Sequence, residues 1–173
     1  MTAVGAVALG LFAYSSVVHL APSPRLQPRE GSPAPRIELT DVSGQRAALA
    51  QYKGRVVLLD FWATWCDSCT AELPELRKLY DKYRPSGFEI LAASVDADGR
   101  RKVVPYIAEH SIPWRVLLAD ADTESAYRVW GLPAKFLIDP EGLIARRYEG
   151  PVDPRVLEGE VRRLLKMPSK GDS

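Results

Sequence analysis

Two cysteines, Cys66 and Cys69, are the only ones in the chain, and they stand where a β-like apolar run gives way to a helical pattern. A thiolate is stabilised at a helix N-terminus, because the amide N–H groups of the first turn are unpaired and the helix dipole is positive there. Cys66 is therefore expected to be a nucleophile. Cys69, about one turn later, can resolve a mixed disulfide, so the spacing predicts a redox-active dithiol.

Three other uses of this pair stay open at this level: half of a zinc site, an inert buried pair and a structural bridge. Zinc needs four ligands, and only His19 and His110 could join the cysteines as nitrogen ligands. A bridge across so short a loop would stabilise the chain by only about 2 kcal/mol. Redox function is favoured, and neither a metal site nor a cofactor is predicted.

Length and charge limit the remaining function classes. The 173 residues suit one domain with a short appendage, and the hydrophobic fraction of 46% is ordinary for a protein with a core. The formal net charge is +1, without a long run of one sign, so nucleic acid is not an expected partner. A monomer is expected.

Residues 2–24 contain no Lys, Arg, Asp or Glu, and residues 3–20 are nearly all apolar. We expect residues 1–21 to be an uncleaved signal-anchor or a cleaved signal peptide, with a buried N-terminal helix as the alternative. The basic residues Arg25, Arg29 and Arg36 follow this segment and none precedes it. The positive-inside rule alone would therefore place the domain in the cytoplasm, unless further basic residues precede Met1 in the natural protein.

A proline-rich tether is expected at residues 22–35, a globular domain at 36–167 and a frayed tail at 168–173. Alternating strand and helix patterns predict an α/β fold, with a central mixed sheet flanked by helices, an N-terminal β-hairpin and a closing antiparallel hairpin. The predicted strands are 37–40, 46–49, 55–62, 88–95, 114–119, 132–139 and 143–148. The predicted helices are 68–83, 100–110, 123–130 stopped by Gly131, and a last one from Asp153 or Pro154 with an apolar face of Val156, Leu157, Val161, Leu164 and Leu165.

Two motifs resemble the thioredoxin superfamily: the stretch from Asp60 through Cys66-x-x-Cys69 to Glu72-x-Pro74, and Gly131-Leu132-Pro133-x-x-Phe136. More narrowly they resemble the membrane-anchored, extracytoplasmic thiol-disulfide oxidoreductases of the TlpA/ResA-like group, which are related to the AhpC/TSA redoxins. These proteins serve disulfide reduction and cytochrome c maturation. The resemblance implies a thioredoxin-like fold for residues 36–167.

The resemblance also implies roles for single residues. Cys66 would attack, Cys69 would resolve, and Pro133, in the cis form, would face the disulfide across a substrate groove. Leu132 would offer its backbone to an extended substrate segment. Trp65 is expected to be a partly exposed wall of that groove.

Two carboxylates are candidate proton carriers. Asp60 interrupts a buried apolar run, so its pKa should be raised, and the alternative is a merely hydrogen-bonded or solvated strand residue. Glu72 would modulate dithiol protonation, unless it only complements the helix dipole.

Two positions depart from the family pattern. Asp67 and Ser68 separate the cysteines without the usual proline, and an anionic Asp67 should disfavour the thiolate, which favours a more reducing dithiol. After Pro133, Ala134 and Lys135 stand where relatives often have a hydroxyl or acidic residue, so the groove should select differently.

The function expected from these features is reduction of protein disulfides outside the cytoplasm. The expected electron donor is another thiol protein, either soluble or embedded in the membrane. One alternative is a redox-sensing or docking module with little turnover. A peroxidase-type redoxin is a further alternative, although the Pro and Thr pattern such enzymes carry before the reactive cysteine is absent here.

Overall fold

A computed structural model describes residues 28–166 of the chain. The predicted leader at 1–21, residues 22–27 of the predicted tether and the predicted tail lie outside these residues. The strands are β1 (Glu38–Asp41), β2 (Arg46–Ala48), β3 (Val56–Trp62), β4 (Phe88–Ser94), β5 (Arg115–Leu118), β6 (Ala134–Ile138) and β7 (Ile144–Glu149). The helices are α1 (Asp67–Tyr83), α2 (Arg100–His110), α3 (Ala121–Tyr127) and α4 (Pro154–Leu165).

The seven strands form one mixed sheet in the order β2-β1-β5-β4-β3-β6-β7. Strands β3, β4 and β5 are parallel, whereas β1 joins β5, and β6 joins β3, in antiparallel pairs. The expected hairpins are both present, β1 with β2 and β6 with β7. Helices flank this sheet, which confirms the predicted α/β, thioredoxin-like fold.

Strand β3 is central, and all seven of its residues are buried. Because successive side chains of a strand point to opposite faces, Leu58 and Trp62 enter one core and Leu59 and Phe61 enter the other. The first core lies under α1, α2 and α4, and the second under α3 and the segment before β1. Asp60 alternates with Leu59 and Phe61 and so points toward the α1 face.

Helix α3 is shorter than the predicted helix at 123–130. It ends at Tyr127, because Arg128 adopts a left-handed conformation with φ of 51° and its N–H closes the last turn on Glu124 and Ser125. Gly131 therefore does not end the helix, and the chain from Val129 onward is a loop that leads to Pro133. The prediction also failed for Val156 on α4, which is 53% exposed rather than part of the apolar face.

The folded body begins before Arg36. The Gly31 N–H donates to the Ile144 carbonyl at 2.8 Å, and Pro33 forms a β-bridge with Leu143. Residues 31–34 of the predicted tether therefore pair with the edge strand β7 and with the turn that precedes it. None of the helices between residues 28 and 166 combines the length and apolar character that crossing a membrane requires.

Candidate active site

Cys66 and Cys69 are joined in a disulfide at the start of α1. Cys66 is the N-cap of this helix, and its Sγ accepts a hydrogen bond from the Cys69 N–H at 3.2 Å. The Ser68 hydroxyl lies 3.4 Å from the same sulfur. The helix thus offers a backbone donor and a hydroxyl to the sulfur of Cys66, which are the groups that would stabilise a thiolate there once the bond is reduced.

Asp96, just beyond β4, braces the loop that leads from β3 to Cys66. Its carboxylate accepts hydrogen bonds from the Thr64 N–H at 3.0 Å, the Thr64 hydroxyl at 2.6 Å and the Ser94 hydroxyl at 2.8 Å. No sequence motif distinguishes this residue from Asp98, which follows it in the same turn. The effect of Asp96 is to fix the backbone two residues before the first cysteine.

A second brace joins the first turn of α1 to α2. The Thr70 and Tyr106 hydroxyls lie 2.6 Å apart, and Thr70 also donates to the Cys66 carbonyl at 3.2 Å. The Tyr106 ring packs between the rings of Trp62 and His110, with centroids 5.2 Å and 4.1 Å away. The disulfide therefore stands on a helix turn held from two sides.

The Leu132–Pro133 peptide bond is cis, as the resemblance implies. In the antiparallel pairing of β3 with β6, Phe61 lies opposite Ala134. The end of β3 and the start of β6 therefore meet at one edge of the sheet, which brings the Pro133 loop to the edge where Cys66 follows β3. The Leu132 N–H and carbonyl have no backbone hydrogen bond among the described residues.

Asp60 and Glu72 meet at a third residue, Lys135, which lies on β6 directly opposite Asp60. The Lys135 ammonium is fully buried, 2.7 Å from Glu72 Oε2 and 3.6 Å from Asp60 Oδ1. The other Glu72 oxygen accepts the Val152 N–H at 3.0 Å. The buried Asp60 carboxylate and the partly exposed Glu72 carboxylate thus share one buried cation.

Burial raises the pKa of the Asp60 carboxyl to about 6; the Lys135 charge opposes this effect and the Glu72 charge adds to it. Asp60 Oδ1 has no hydrogen-bond partner among residues 28–166. Between Asp60 and Cys69 lies a cavity of about 10 Å³, close to the least volume that holds one water. Its other lining residues are Trp62, Leu73, Ala92, Ile112 and Trp114. A proton could pass between Cys69 and Asp60 across this space.

Two exposed tryptophans stand at the two loops that approach the disulfide. Trp65, just before Cys66, is 67% exposed, and Trp130, three residues before Pro133, is 84% exposed. Trp130 also lines a hollow of about 130 Å³ whose other residues are Arg128, Gly131, Leu132, Ala134, Arg147, Glu149 and Gly150. Asp67 is exposed in the first turn of α1, and Ser68 is half-buried beside it.

The structure brings all the sequence-predicted residues to this edge of the sheet or to the buried layer just beneath it. Asp96 and Trp130, which sequence reasoning missed, lie there too. Lys135 was expected to affect the substrate groove, but it is fully buried and paired with Glu72 and Asp60. Lys135 carried a usable signal, because a lysine inside an otherwise apolar strand next to Pro133 needs a buried partner. Trp130 stands in a loop that was predicted as helix, which concealed its exposure.

The sequence matches the AhpC/TSA family over residues 31–147. It is 34% identical over 137 residues to the thiol-disulfide oxidoreductase ResA of Bacillus cereus, covering 78% of each chain. ResA of Bacillus subtilis is 36% identical over 122 residues, covering 70% of this chain and 68% of ResA.

Solved structures resemble this fold over similar lengths. The thioredoxin domain of a thiol-disulfide oxidoreductase from Bacteroides vulgatus superposes with a TM-score of 0.72 at 30% identity, covering 80% of this chain and 99% of that domain. A thiol:disulfide interchange protein from Bacteroides sp. gives a TM-score of 0.70 at 30% identity, covering 83% and 95%.

Proposed function

This chain belongs to the AhpC/TSA family, is a ResA-like thiol-disulfide oxidoreductase of the thioredoxin superfamily, and, we propose, reduces disulfide bonds of proteins outside the cytoplasm. The observation that carries the proposal is the Cys66–Cys69 disulfide at the N-terminus of α1, at the same sheet edge as the cis Pro133 loop. A cysteine pair in this position forms and breaks disulfides readily, because the helix start favours the thiolate of the first cysteine.

The reaction starts from the reduced dithiol. The Cys66 thiolate attacks one sulfur of the substrate disulfide, forms a mixed disulfide and releases the other substrate sulfur as a thiolate, which takes a proton. Cys69 then loses its proton, and its thiolate attacks Cys66 Sγ. The second substrate thiolate leaves, so the substrate gains two electrons and two protons while the enzyme ends with the disulfide described above.

Asp60 is the proposed acceptor of the Cys69 proton. It faces Cys69 across the small cavity, and a pKa of about 6 lets its carboxylate exist at neutral pH yet hold a proton easily. Glu72 does not line this cavity and lies instead along the groove between α1 and α4. Its proposed part is to hold Lys135.

The substrate is a protein disulfide rather than a small disulfide. Trp65, next to Cys66, and Trp130, three residues before Pro133, expose large apolar surfaces, and such surfaces are typical of sites that contact other proteins. The free backbone groups of Leu132 can pair with an extended segment that carries the substrate cysteine.

Location and partners form the finer part of the proposal. The apolar stretch at residues 3–20 would anchor or export the domain. Another thiol protein would return electrons to the disulfide, and for an anchored domain this donor would be embedded in the membrane. Disulfides of c-type cytochrome precursors are the proposed substrates. A reporter enzyme that is active only outside the cytoplasm, fused after residue 166 of the full chain, tests the location.

Single-turnover reduction of insulin by the prereduced full chain tests the activity. We expect rapid reduction by the wild type and none by Cys66→Ser, while Cys69→Ser should accumulate a mixed disulfide. Full activity of Cys66→Ser would refute the mechanism. The reduction potential of the Cys66–Cys69 couple should lie nearer to about −270 mV, the value of thioredoxin, than to about −120 mV, the value of the strong oxidant DsbA.

A further inference from the structure

Lys135 is the least expected group in the active-site region. It is a lysine with no exposed surface, on a strand whose five residues are all buried. A buried ammonium is costly unless it is paired, and this one faces two carboxylates, Glu72 at 2.7 Å and Asp60 at 3.6 Å. A single cation between two acids leaves the cluster one negative charge in excess when both acids are ionised.

Among residues 28–166, Lys135 is the only cation that acts closely on Asp60. Its neighbour on β4 is Ala92, and its neighbour on β6 is Lys135. From α1, the ionisable groups that face this region are Glu72 and Cys69. Removing Lys135 would leave the buried Asp60 carboxylate without a counter-ion, and Asp60 would then resist ionisation more strongly.

Glu72 gives this cluster its own access to water. Its side chain is 14% exposed and lines a groove of about 350 Å³ between α1 and α4. Neither Cys66 nor Pro133 lines that groove. A substrate seated over the disulfide would therefore leave the outer end of the cluster in contact with solvent.

We propose that Lys135 is a positioning residue that couples Glu72 to Asp60, so that the two carboxylates together take up the one proton that Cys69 gives up. This inference rests on the proposed reductase function and adds a third member to its proton-handling group. In this step the Cys69 thiol and the Asp60 carboxylate become a Cys69 thiolate and an Asp60 carboxylic acid. The proton then leaves to water by way of Glu72 and the α1–α4 groove.

The coupling is tested on the full chain in its oxidised form, by following the carboxyl carbon of Asp60 by NMR as a function of pH. In Lys135→Met the Asp60 titration should move upward by about one pH unit or more, because the opposing cation is gone. In Glu72→Gln it should move downward, because Lys135 then serves Asp60 alone. Lys78→Met, which removes an exposed lysine of α1 paired with Glu75, should leave the titration in place.

The same variants, prereduced, are then compared in single-turnover insulin reduction between pH 5 and 9. The acid limb of the rate should follow the Asp60 titration, so that Lys135→Met loses about threefold or more at pH 6.5 and recovers at pH 9. An Asp60 titration unmoved in Lys135→Met, or moved the same way in both variants, would overturn the coupling. If Lys135→Met does not fold, Glu72→Gln decides alone, and a titration that stays or rises there overturns it.

Failure of this inference can be told apart from failure of the proposed function. The carboxyl titration is read on the oxidised protein and needs no turnover. An inactive wild type with opposite shifts in the two variants would refute the reductase and keep the coupling. An active wild type with unmoved titrations would do the reverse.

Discussion

Asp60 and Lys135 lie directly opposite each other on the antiparallel strands β3 and β6, both buried, with their charged atoms 3.6 Å apart. At that separation the charges attract each other, but Asp60 Oδ1 receives no hydrogen bond from any described residue. Burial therefore outweighs the attraction, and the pKa of Asp60 is raised from 3.8 to about 6. The protein thus keeps a destabilising carboxylate directly below its reactive disulfide.

Asp60→Asn should stabilise the oxidised protein at neutral pH. A carboxyl whose pKa is raised on folding adds stability that is complete below pH 4 and is lost as the pH rises to about 6. A shift from 3.8 to about 6 corresponds to about 3 kcal/mol, so the variant should gain up to that amount at pH 7.5 and little at pH 4. Urea unfolding at both pH values measures it, and an equal difference at both would contradict the linkage.

Asp41→Asn is the matched comparison, and its sign is opposite. Burial alone would raise the pKa of Asp41, but hydrogen bonds from Ser43, Gln45 and Arg115 outweigh it and lower the pKa to about 2. Its contribution to stability is present above pH 4 and disappears as the pH falls toward 2. The variant should therefore be less stable than wild type at pH 7.5, and the difference should shrink in acid.

Trp65→Ala and Trp130→Ala should weaken the binding of protein substrates without harming the fold. Both side chains are largely exposed, so their removal costs little core packing. Each should raise the KM for insulin roughly fivefold or more, as loss of an interfacial tryptophan commonly does. The rate with a small disulfide such as hydroxyethyl disulfide should stay within about twofold, because that substrate reaches Cys66 without covering the tryptophans.

Val156→Ala controls for loss of exposed apolar surface away from the disulfide, since Val156 on α4 is 53% exposed. Its KM for insulin should equal that of the wild type. If the tryptophan variants and Val156→Ala behave alike, the two indoles do not form a docking surface.

Local sequence patterns were enough to predict the sheet and its hairpins. The continuous apolar run from Val56 to Trp62 identified a strand buried on both faces, and the turn at Pro140–Gly142 between two apolar runs identified the β6–β7 hairpin. The cysteine pair and Pro133 were also recognisable, because their motifs are local. What these features share is that neighbours in the sequence determine them.

The partners of Asp60 could not be predicted in the same way. Lys135 lies 75 residues further along the chain, and only the register of β3 against β6 places it beside Asp60. Asp96 likewise reads as one acidic turn residue among several until the pairing of β3 with β4 brings it to Thr64. The extent of α3 was missed for a different reason, since Arg128 carries no glycine-like signal for its left-handed conformation.

Asp96→Asn should loosen the loop before Cys66. The carboxylate accepts hydrogen bonds from Thr64 and Ser94 on two charged oxygens, whereas the amide offers only one neutral oxygen as acceptor. We therefore expect a loss of about 1–2 kcal/mol in unfolding free energy. The rate of insulin reduction should fall as well, because Thr64 fixes the backbone leading to the nucleophile. Asp98→Asn is the control: that side chain pairs with Arg101 at the surface, and its change should leave the unfolding free energy and the rate close to those of the wild type. Equal effects of the two variants would mean that the brace is unimportant.

Tyr127→Phe should release the segment before β1 from the body of the domain. The Tyr127 hydroxyl, fully buried among Phe61 and Phe136, donates to the Pro35 carbonyl at 2.7 Å. Removing it leaves that carbonyl unsatisfied and should cost about 1–2 kcal/mol.

Amide hydrogen exchange of Gly31 and Ala34, whose N–H groups bond to the β6–β7 hairpin, should become faster in Tyr127→Phe than in the wild type. Tyr148→Phe is the matched control, because the buried Tyr148 hydroxyl has no hydrogen-bond partner among the described residues. Its removal should leave stability unchanged or slightly increased, since a buried hydroxyl without a partner is itself unfavourable. If both variants lose the same stability, the ring environment rather than the bond to Pro35 holds the segment, and its exchange rates should then stay at the wild-type values.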